Sequence, residues 1–484
     1  MTKQWRCFAI TLTSSLALLA CSAQTPLPSQ PSPPLQANWS SQHQLGSFAE
    51  QRFESQLSAQ LQQLVAEALV NNPGVTEQAL LLDRQLYLIQ QQHAQRWPQI
   101  DAYLSAASSG DRDSSTEQFR LGLDVSWEFD WLGKLEARTQ AAVFDARVQL
   151  ELWQQSQLEL AVTVIAQWFE LLEAQLQYQL IEQRIANQQG NLEIIEAGYR
   201  SGLREALDVY LARADLNAVR SQLNQRQEQQ LQAQLSLELS LGRYPAGKIL
   251  AKGELGVPLA PLPAGIPSEL LQRRHDLRAA SFRLAAADKR VFAAYRERFP
   301  SLRLTASGGS QSEQLGELLD GESLLWSLFA GITAPLFDAG ALENQQQAEQ
   351  ALAASLDKAY QQAVLNSFAE VEQALSKEPL LQSSGELLDA AARDSELAAA
   401  LAFENYQLGL VNYITVLESQ RRAFDARSAA LSALNQQVQN RLQLYQALGG
   451  GLDTSLPVRP DSLPDGALPD IETPFPATEE TNNG

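Results

Sequence analysis

Cysteine, methionine and histidine are nearly missing from this chain of 484 residues, which has two Cys, one Met and three His. Zinc, haem and iron–sulfur centres draw on those side chains, and His43, His93 and His275 are scattered, so no metal is expected. Positive charge is also short: 36 Lys+Arg face 56 Asp+Glu, a net charge of -20. Such a surface does not neutralise a phosphate backbone, which argues against nucleic acid as a partner. There is no phosphate-binding P-loop and no order of Ser, His and Asp that marks a nucleophile. The chain is therefore not expected to be an enzyme, and no cofactor is implied.

What is present begins with an export pattern. Lys3 and Arg6 precede an apolar stretch, Phe8 to Ala20, too short to span a bilayer as a mature helix. It ends in Leu18-Leu19-Ala20-Cys21, an order that resembles a bacterial lipobox, in which the Cys becomes the lipidated first residue. The alternative is an ordinary signal peptide in which Cys21 is incidental. Ser22 stands where an inner-membrane lipoprotein of enteric bacteria would carry Asp, which favours the outer membrane. Loss of Lys3 and Arg6 takes the charge from -20 to -22, and loss of Cys7 leaves Cys21 without a disulfide partner. The Pro-, Ser- and Gln-rich residues that follow Cys21 read as a tether.

The rest of the chain is a duplication. Arg96-Trp97-Pro98-Gln99-Ile100 returns as Arg298-Phe299-Pro300-Ser301-Leu302, and Asn71-Asn72-Pro73 falls on Arg273-Arg274-His275 at the same offset of 202. Phe129-Asp130 returns as Phe337-Asp338, and Tyr199-Arg200-Ser201-Gly202-Leu203 as Tyr406-Gln407-Leu408-Gly409-Leu410. Landmarks in one order at nearly constant offset define two tandem repeats of about two hundred residues.

Each repeat contains a strand pair. Gln118 to Phe129 alternates strictly, with Phe119, Leu121, Leu123, Val125, Trp127 and Phe129 on one face and Arg120, Asp124 and Glu128 on the other. Ile100 to Ala107 and Leu302 to Ser307 alternate likewise, Leu324 to Thr333 does so less cleanly because its second face, with Leu325 and Phe329, is itself partly apolar, and polar connections are expected at 108–117 and 311–322. A half-buried soluble sheet would show this pattern. So would a barrel with a lipid-facing outside and a polar lumen, since twelve residues extend about 40 Å. Trp97, Trp127, Trp131 and Trp326 near the strand ends suit interfacial belts, and with an outer-membrane export signal the barrel is the better reading. Four strands cannot close one, and an open edge is not viable in lipid, so several copies must share it.

Between the strand pairs run very long helical patterns. Leu135 to about Gly198 contains no Pro and predicts roughly 96 Å of helix. Leu203 to Leu241 returns for roughly 58 Å. The second repeat does the same from Ala341 to about Leu408 and from Asn412 to Leu448, with Pro379 expected to kink or interrupt it. Apolar stripes such as Val162, Ile165, Ala166 and Phe169 suit coiled-coil-like packing, and the Gln-rich remaining faces are expected to stay wet.

These residues resemble the TolC-like outer-membrane factor family, most closely its lipoprotein efflux branch. The most specific stretch is Pro263-Ala264-Gly265-Ile266-Pro267-Ser268-Glu269-Leu270-Leu271-Gln272-Arg273-Arg274-His275-Asp276-Leu277-Arg278-Ala279-Ala280, where the family has Pro in place of His275 and, just beyond, Glu in place of Ser281. Leu241-Gly242-Arg243, Pro335-Leu336-Phe337-Asp338-Ala339-Gly340 and the two Tyr-x-x-Gly turns also match. The resemblance implies a mainly α fold with a transmembrane β part: a homotrimer with a 12-stranded barrel continued by a long periplasmic helical barrel. The implied function is a passive exit duct of a tripartite efflux system for small toxic compounds, fed by an inner-membrane pump, RND type foremost, through a periplasmic adaptor.

On that basis the chain divides into a signal (1–20), lipidated linker (21–47), leading helices (48–97), strands (98–131) and long helix pair (132–242). The second repeat has a connection with leading helices (243–299), strands (300–337) and a long pair (338–449), and the acidic, Pro-rich tail (450–484) is expected to be flexible or to wrap the tube. The resemblance implies adaptor contact at the helix-pair tips, here Tyr199, Gly202, Leu203, Leu207, Tyr406, Gly409, Leu410 and Thr415. Candidates for a gate at the periplasmic aperture are Asp394, Glu396, Leu401 and Glu404, with Leu408 as an apolar alternative. Arg120, Asp124 and Glu128 would supply lumen charge. A type I protein secretion duct and a surface-anchored coiled-coil scaffold without a pore are the competing readings.

Overall fold

The computed structural model describes residues 39, 57–110, 115–255, 267–318 and 324–450. Cys21 and nearly all of the acidic tail lie outside them. The elements run α1 (Ala59–Asn71), α2 (Pro73–Ala94), β1 (Gln99–Gly110), β2 (Ser115–Phe129), α3 (Lys134–Arg200) and α4 (Ala206–Ser240) in the first repeat. The second has α5 (Pro267–Arg273), α6 (His275–Glu297), β3 (Ser301–Ser312), β4 (Leu324–Thr333), α7 (Ala341–Gln407) and α8 (Tyr413–Ala447).

The strands form one antiparallel meander, β1-β2-β3-β4, with β1 and β4 as edges. They run longer than their apolar alternation. Gly110 still pairs with Ser115, so the connection expected at 108–117 is mostly strand. The backbone ladder needs no apolar side chain, so Ser and Gly continue it where the sequence pattern fades. At each strand-to-helix junction an Asp from the repeated Phe-Asp pair satisfies free helical N–H groups. Asp130 accepts from Glu136 N at 2.7 Å, and Asp338 accepts from Gly340 N and Leu342 N at 2.9 Å each.

Helices α3 and α7 have 67 residues each, about 100 Å, and α4 and α8 have 35, about 52 Å. The shorter helices are continued end to end by α2 and α6. Asn72, at the start of α2, donates from Nδ2 to Ser240 O at the end of α4, 2.9 Å away. Arg274, just before α6, donates to Ala447 O at the end of α8 at 3.1 Å. The wall is thus one helix thick, ordered α2/α4, α3, α6/α8, α7, and its outer members are edges like β1 and β4.

Packing is strung along this wall, with its largest apolar cluster at the equator, where Leu61, Leu64 and Val65 of α1 meet Val164, Trp168 and Leu172 of α3. Trp39 packs at the same level in the second repeat, against Phe368 of α7. The loop after α4 is fixed by buried Glu238, whose carboxylate accepts from the backbone N–H groups of Ala246, Gly247, Lys248 and Ile249. Burial alone would push this carboxyl up. The four donors outweigh it and hold it below the usual range.

Two expectations need correction. Helix α7 is uninterrupted through Pro379. Its neighbour α8 stitches the turn: Asn440 Nδ2 donates to Ala374 O at 3.1 Å, and Gln437 Nε2 to Leu381 O at 2.9 Å. Glu378 pairs with Arg441, and Gly385 leaves the space that the Gln437 amide occupies. Nor do the glutamines all stay wet, since Gln157, Gln177, Gln188 and Gln234 are buried. In a wall one helix thick the amides of Gln177, Gln188 and Gln234 reach neighbouring helices and loops, as where Gln177 Nε2 donates to Ser428 O at 3.0 Å. His275, the first residue of α6, is held by a carboxylate of α3. Its Nδ1 lies 2.7 Å from Glu151 Oε2, and Arg278 takes the other oxygen of that buried carboxylate.

Candidate functional site

Residues directly opposed across an antiparallel ladder share a face, so the register assembles the polar side of the sheet. Asp101, Asp124, Ser307 and Ser327 form one cross-strand row; Tyr103, Gly122, Gly309 and Leu325 form the next on one side, and Ser105, Arg120 and Gln311 the one after it. Glu128 lies opposite Arg303 and pairs with Lys134 at the start of α3. The opposite face carries Ile100, Leu104, Leu121, Leu123, Trp326, Leu328 and Ile332, all exposed. An apolar surface this continuous calls for lipid or protein against it. The sequence singled out Arg120, Asp124 and Glu128 but not Asp101, whose place opposite Asp124 depends on the register and on no local pattern.

At the far end the two helix pairs reverse through matching turns. Gly202 and Gly409 have φ of 74° and 78°, a conformation that costs any side chain but Gly's hydrogen. The following residues close each turn: Leu203 N donates to Gly198 O at 2.8 Å and Leu410 N to Asn405 O at 2.9 Å. Leu203 is 77% exposed and Leu410 69%. Tyr199 and Leu207 are exposed as well, so the apolar tips are real surface features.

Tyr406 is not one of them. It is only 2% exposed, whereas its repeat counterpart Tyr199 is 49% exposed. Its ring packs 5.3 Å from that of Tyr413 and lies under the Arg204 guanidinium at 4.1 Å. Its hydroxyl donates to Asp208 Oδ2 at 2.9 Å, and Arg204 Nη2 donates to the carbonyls of Tyr406 and Gln407 at 2.9 and 3.2 Å. A cation at those last carbonyls also complements the helix dipole. Ile195, Val209 and Ala212 of the first pair complete the cluster. Burial first, then the hydrogen bond to Asp208 and its charge, pushes the Tyr406 hydroxyl up to about 12.

Arg204, Asp208 and Tyr413 were not singled out as tip residues from the sequence. At repeat spacing they fall opposite Val411, Thr415 and Ala206, so the groups that join the two tips stand where the repeats diverge. That divergence was the available signal. Thr415, expected as a contact, is exposed and also secures the start of α8: its N and Oγ1 both donate to Asn412 Oδ1, at 3.0 and 2.9 Å.

Of the aperture candidates, Asp394, Leu401 and Glu404 are exposed and fall with Leu397 and Leu408 on one stripe of α7, at alternating spacings of three and four. Glu396 is off that stripe. Its Oε1 lies 4.0 Å from Arg427 Nε of α8, so it belongs to the groove between the two helices.

An open-edged sheet with one apolar and one polar face, carried on an open-edged wall of helices about 100 Å long, defines one subunit's share of a membrane duct. The chain belongs to the outer membrane efflux protein family, whose model matches residues 64–243 and 266–450. Among its relatives, the toluene efflux pump outer membrane protein TtgF of Pseudomonas putida is 28% identical, the match covering 92% of this chain and 97% of the relative. The cation efflux system protein CusC of Escherichia coli is 30% identical, over 81% of this chain and 86% of the relative. A solved structure of CusC superposes with a TM-score of 0.80 at 26% identity, covering 88% of this chain and 99% of that one. The chain has the outer-membrane-factor fold and is an outer-membrane exit duct of an efflux system. Its family consists of channels.

Proposed function

We propose that three copies close a twelve-stranded barrel and a continuous helical tunnel, through which an inner-membrane pump of RND type discharges small toxic compounds by way of a periplasmic adaptor. The observation that carries this reading is the match of open edges: among the described residues β1 and β4 have no outer strand partner, at the same two sides where α2/α4 and α7 end the helical wall. Exposed Leu80, Tyr87, Leu231 and Leu239 on one edge and Leu352, Leu365 and Leu387 on the other supply apolar surface for the neighbouring copies.

In this reading the Leu203, Leu207 and Leu410 tips meet the adaptor. Tyr406, Asp208 and Arg204 latch the second helix pair to the first, so the aperture stays narrow until adaptor contact separates them. The α7 stripe from Asp394 to Leu408 then forms the constriction in threefold repeat. Cys21 is the lipid anchor. Seventeen residues separate it from Trp39, a reach of about 60 Å, while Phe368 beside Trp39 stands about 40 Å along α7 from the sheet.

Deletion of the gene followed by complementation tests the assignment on a panel of dyes, solvents, antibiotics, detergents and metal salts. The wild-type chain restores resistance, and the double variant Leu203→Asp, Leu410→Asp reaches the membrane without restoring it. Sensitivity unchanged by deletion across the panel would overturn the efflux reading in favour of protein secretion.

A further inference from the structure

The seam between the two helix pairs, where α3 packs on α8, is fastened at two levels. Toward the sheet, the two oxygens of Glu173 accept from Ser432 Oγ at 2.6 Å and from Asn435 Nδ2 at 2.7 Å, and Gln177 exchanges hydrogen bonds with Ser428. Toward the tip, about 27 Å further along α3, Ile195 reaches the cluster of Tyr406 and Tyr413. Between the two levels the seam parts into a cleft of about 550 Å³ lined by α3, α7 and α8, a size that suits a small molecule.

Three buried polar atoms on the residues lining this cleft have no hydrogen-bond partner among the described residues: Arg184 Nε, Gln188 Oε1 and Gln420 Oε1. Gln188 is only 5% exposed. Its Nε2 donates to Asp215 of α4, and a carboxylate only accepts, so the amide cannot be turned round and its oxygen is left over. Arg184 lies over the Phe424 ring, 4.6 Å from the centroid, and its Nη2 is 3.8 Å from Asp215 Oδ1, which leaves Nε unanswered. Burial pushes this guanidinium down in spite of the Asp215 and Asp425 charges, as befits a buried cation short of partners.

Buried polar groups without partners are costly, and three at one cleft point to a ligand. One N–H lacks an acceptor and two carbonyl oxygens lack donors. A primary carboxamide offers the complement, one carbonyl oxygen and two N–H bonds. Phe403 and Phe424 supply apolar walls for an attached aromatic ring. Glu396 and Arg427, also on the lining, stand 4.0 Å apart and offset each other, so the ligand needs no charge.

We propose that this cleft binds a small aromatic carboxamide, whose carbonyl accepts from Arg184 Nε and whose amide N–H groups donate to Gln188 Oε1 and Gln420 Oε1. Such a ligand bridges α3 and α8 between the two fastenings and holds the helix pairs together above the Tyr406 latch. Its effect on the aperture rests on the latch reading given above. Binding does not, and is read without reference to transport, so either can fail while the other stands.

The test is a saturation-transfer titration of the full-length protein in detergent with benzamide, set beside acetophenone, which keeps the ring and the carbonyl but has no N–H. Benzamide is expected to bind at about 1 mM, and acetophenone about tenfold more weakly or worse. Gln420→Leu and Arg184→Lys each remove one of the three atoms and should weaken benzamide about fivefold or more. Ala399→Trp, which fills the cleft from α7, should abolish binding. No benzamide binding at about ten times the expected concentration would overturn the proposal and show that solvent alone serves the three atoms. Equal binding of the two probes, or binding undiminished by Ala399→Trp, would overturn it as well. If Arg184→Lys does not accumulate, Gln420→Leu reads the same loss, with the same outcomes for and against.

Discussion

Tyr406 Oη donates to Asp208 Oδ2 at 2.9 Å, tying the last turn of α7 to the first turn of α4. The two residues belong to different repeats, so the bond joins the two helix pairs at their tips. Tyr406→Phe removes the donor and keeps the ring. A hydrogen bond to a charged acceptor contributes about 1.5–3 kcal/mol, so the variant is expected to exchange Tyr406-region amides about tenfold or more faster. Unchanged protection there would show that the bond does not hold the tip.

The same contact has a pH signature. Folding raises the Tyr406 hydroxyl from 10.0 to about 12, so the folded tip prefers the protonated phenol. Its contribution is complete below pH 10 and is lost as pH rises towards 12. Tip mobility, read from a spin label at Leu203→Cys, is expected to increase across that window in wild type. In Tyr406→Phe, where no phenol remains, the tip is already loosened and this part of the pH response is lost.

Asp101 and Asp124 face each other on the polar side of the sheet. Like charges directly opposed destabilise a ladder, so retaining the pair is a cost that cation preference in the lumen would offset. Under a salt gradient, the reversal potential of the wild-type channel should favour cations. Asp101→Asn with Asp124→Asn should move it toward zero. An unchanged potential would place the selectivity elsewhere.

Glu238 holds four backbone N–H groups with two oxygens. Glu238→Gln replaces one oxygen by a donor and leaves two of them unmatched, a loss of about 2–3 kcal/mol. Because the carboxyl is held below its ordinary value, its stabilisation is present above about pH 4.5 and is lost as the pH falls through the lowered value. Thermal melts of wild type and variant should therefore converge in acid.

Much of this fold is legible in the sequence because extended elements carry long periodic signals. The alternation from Phe119 to Phe129 and the Pro-free stretch after Leu135 each span many residues with little interruption. An interruption at Pro379 is not found, and the groups that hold α7 on either side of it, Asn440 and Gln437, lie more than fifty residues away on α8. The tip turns follow from Gly202 and Gly409, which is local chemistry. The latch does not: Tyr406 and Tyr199 look alike in sequence, and only the packing of one pair against the other buries the first and leaves the second exposed. Asp101 is hidden for a related reason, since strand register is a property of pairs of strands.

The most direct test of the whole account is single-channel conductance of the purified protein in a planar bilayer, with wild type set beside Arg204→Ala combined with Tyr406→Phe. Arg204 adds a cation–π contact of about 0.5–2 kcal/mol to the latch, so the pair of substitutions removes most of it. The account predicts small wild-type currents that rise severalfold in the double variant, from particles with the mass of three protomers. No conductance from either protein, or a monomeric mass in detergent, would contradict it.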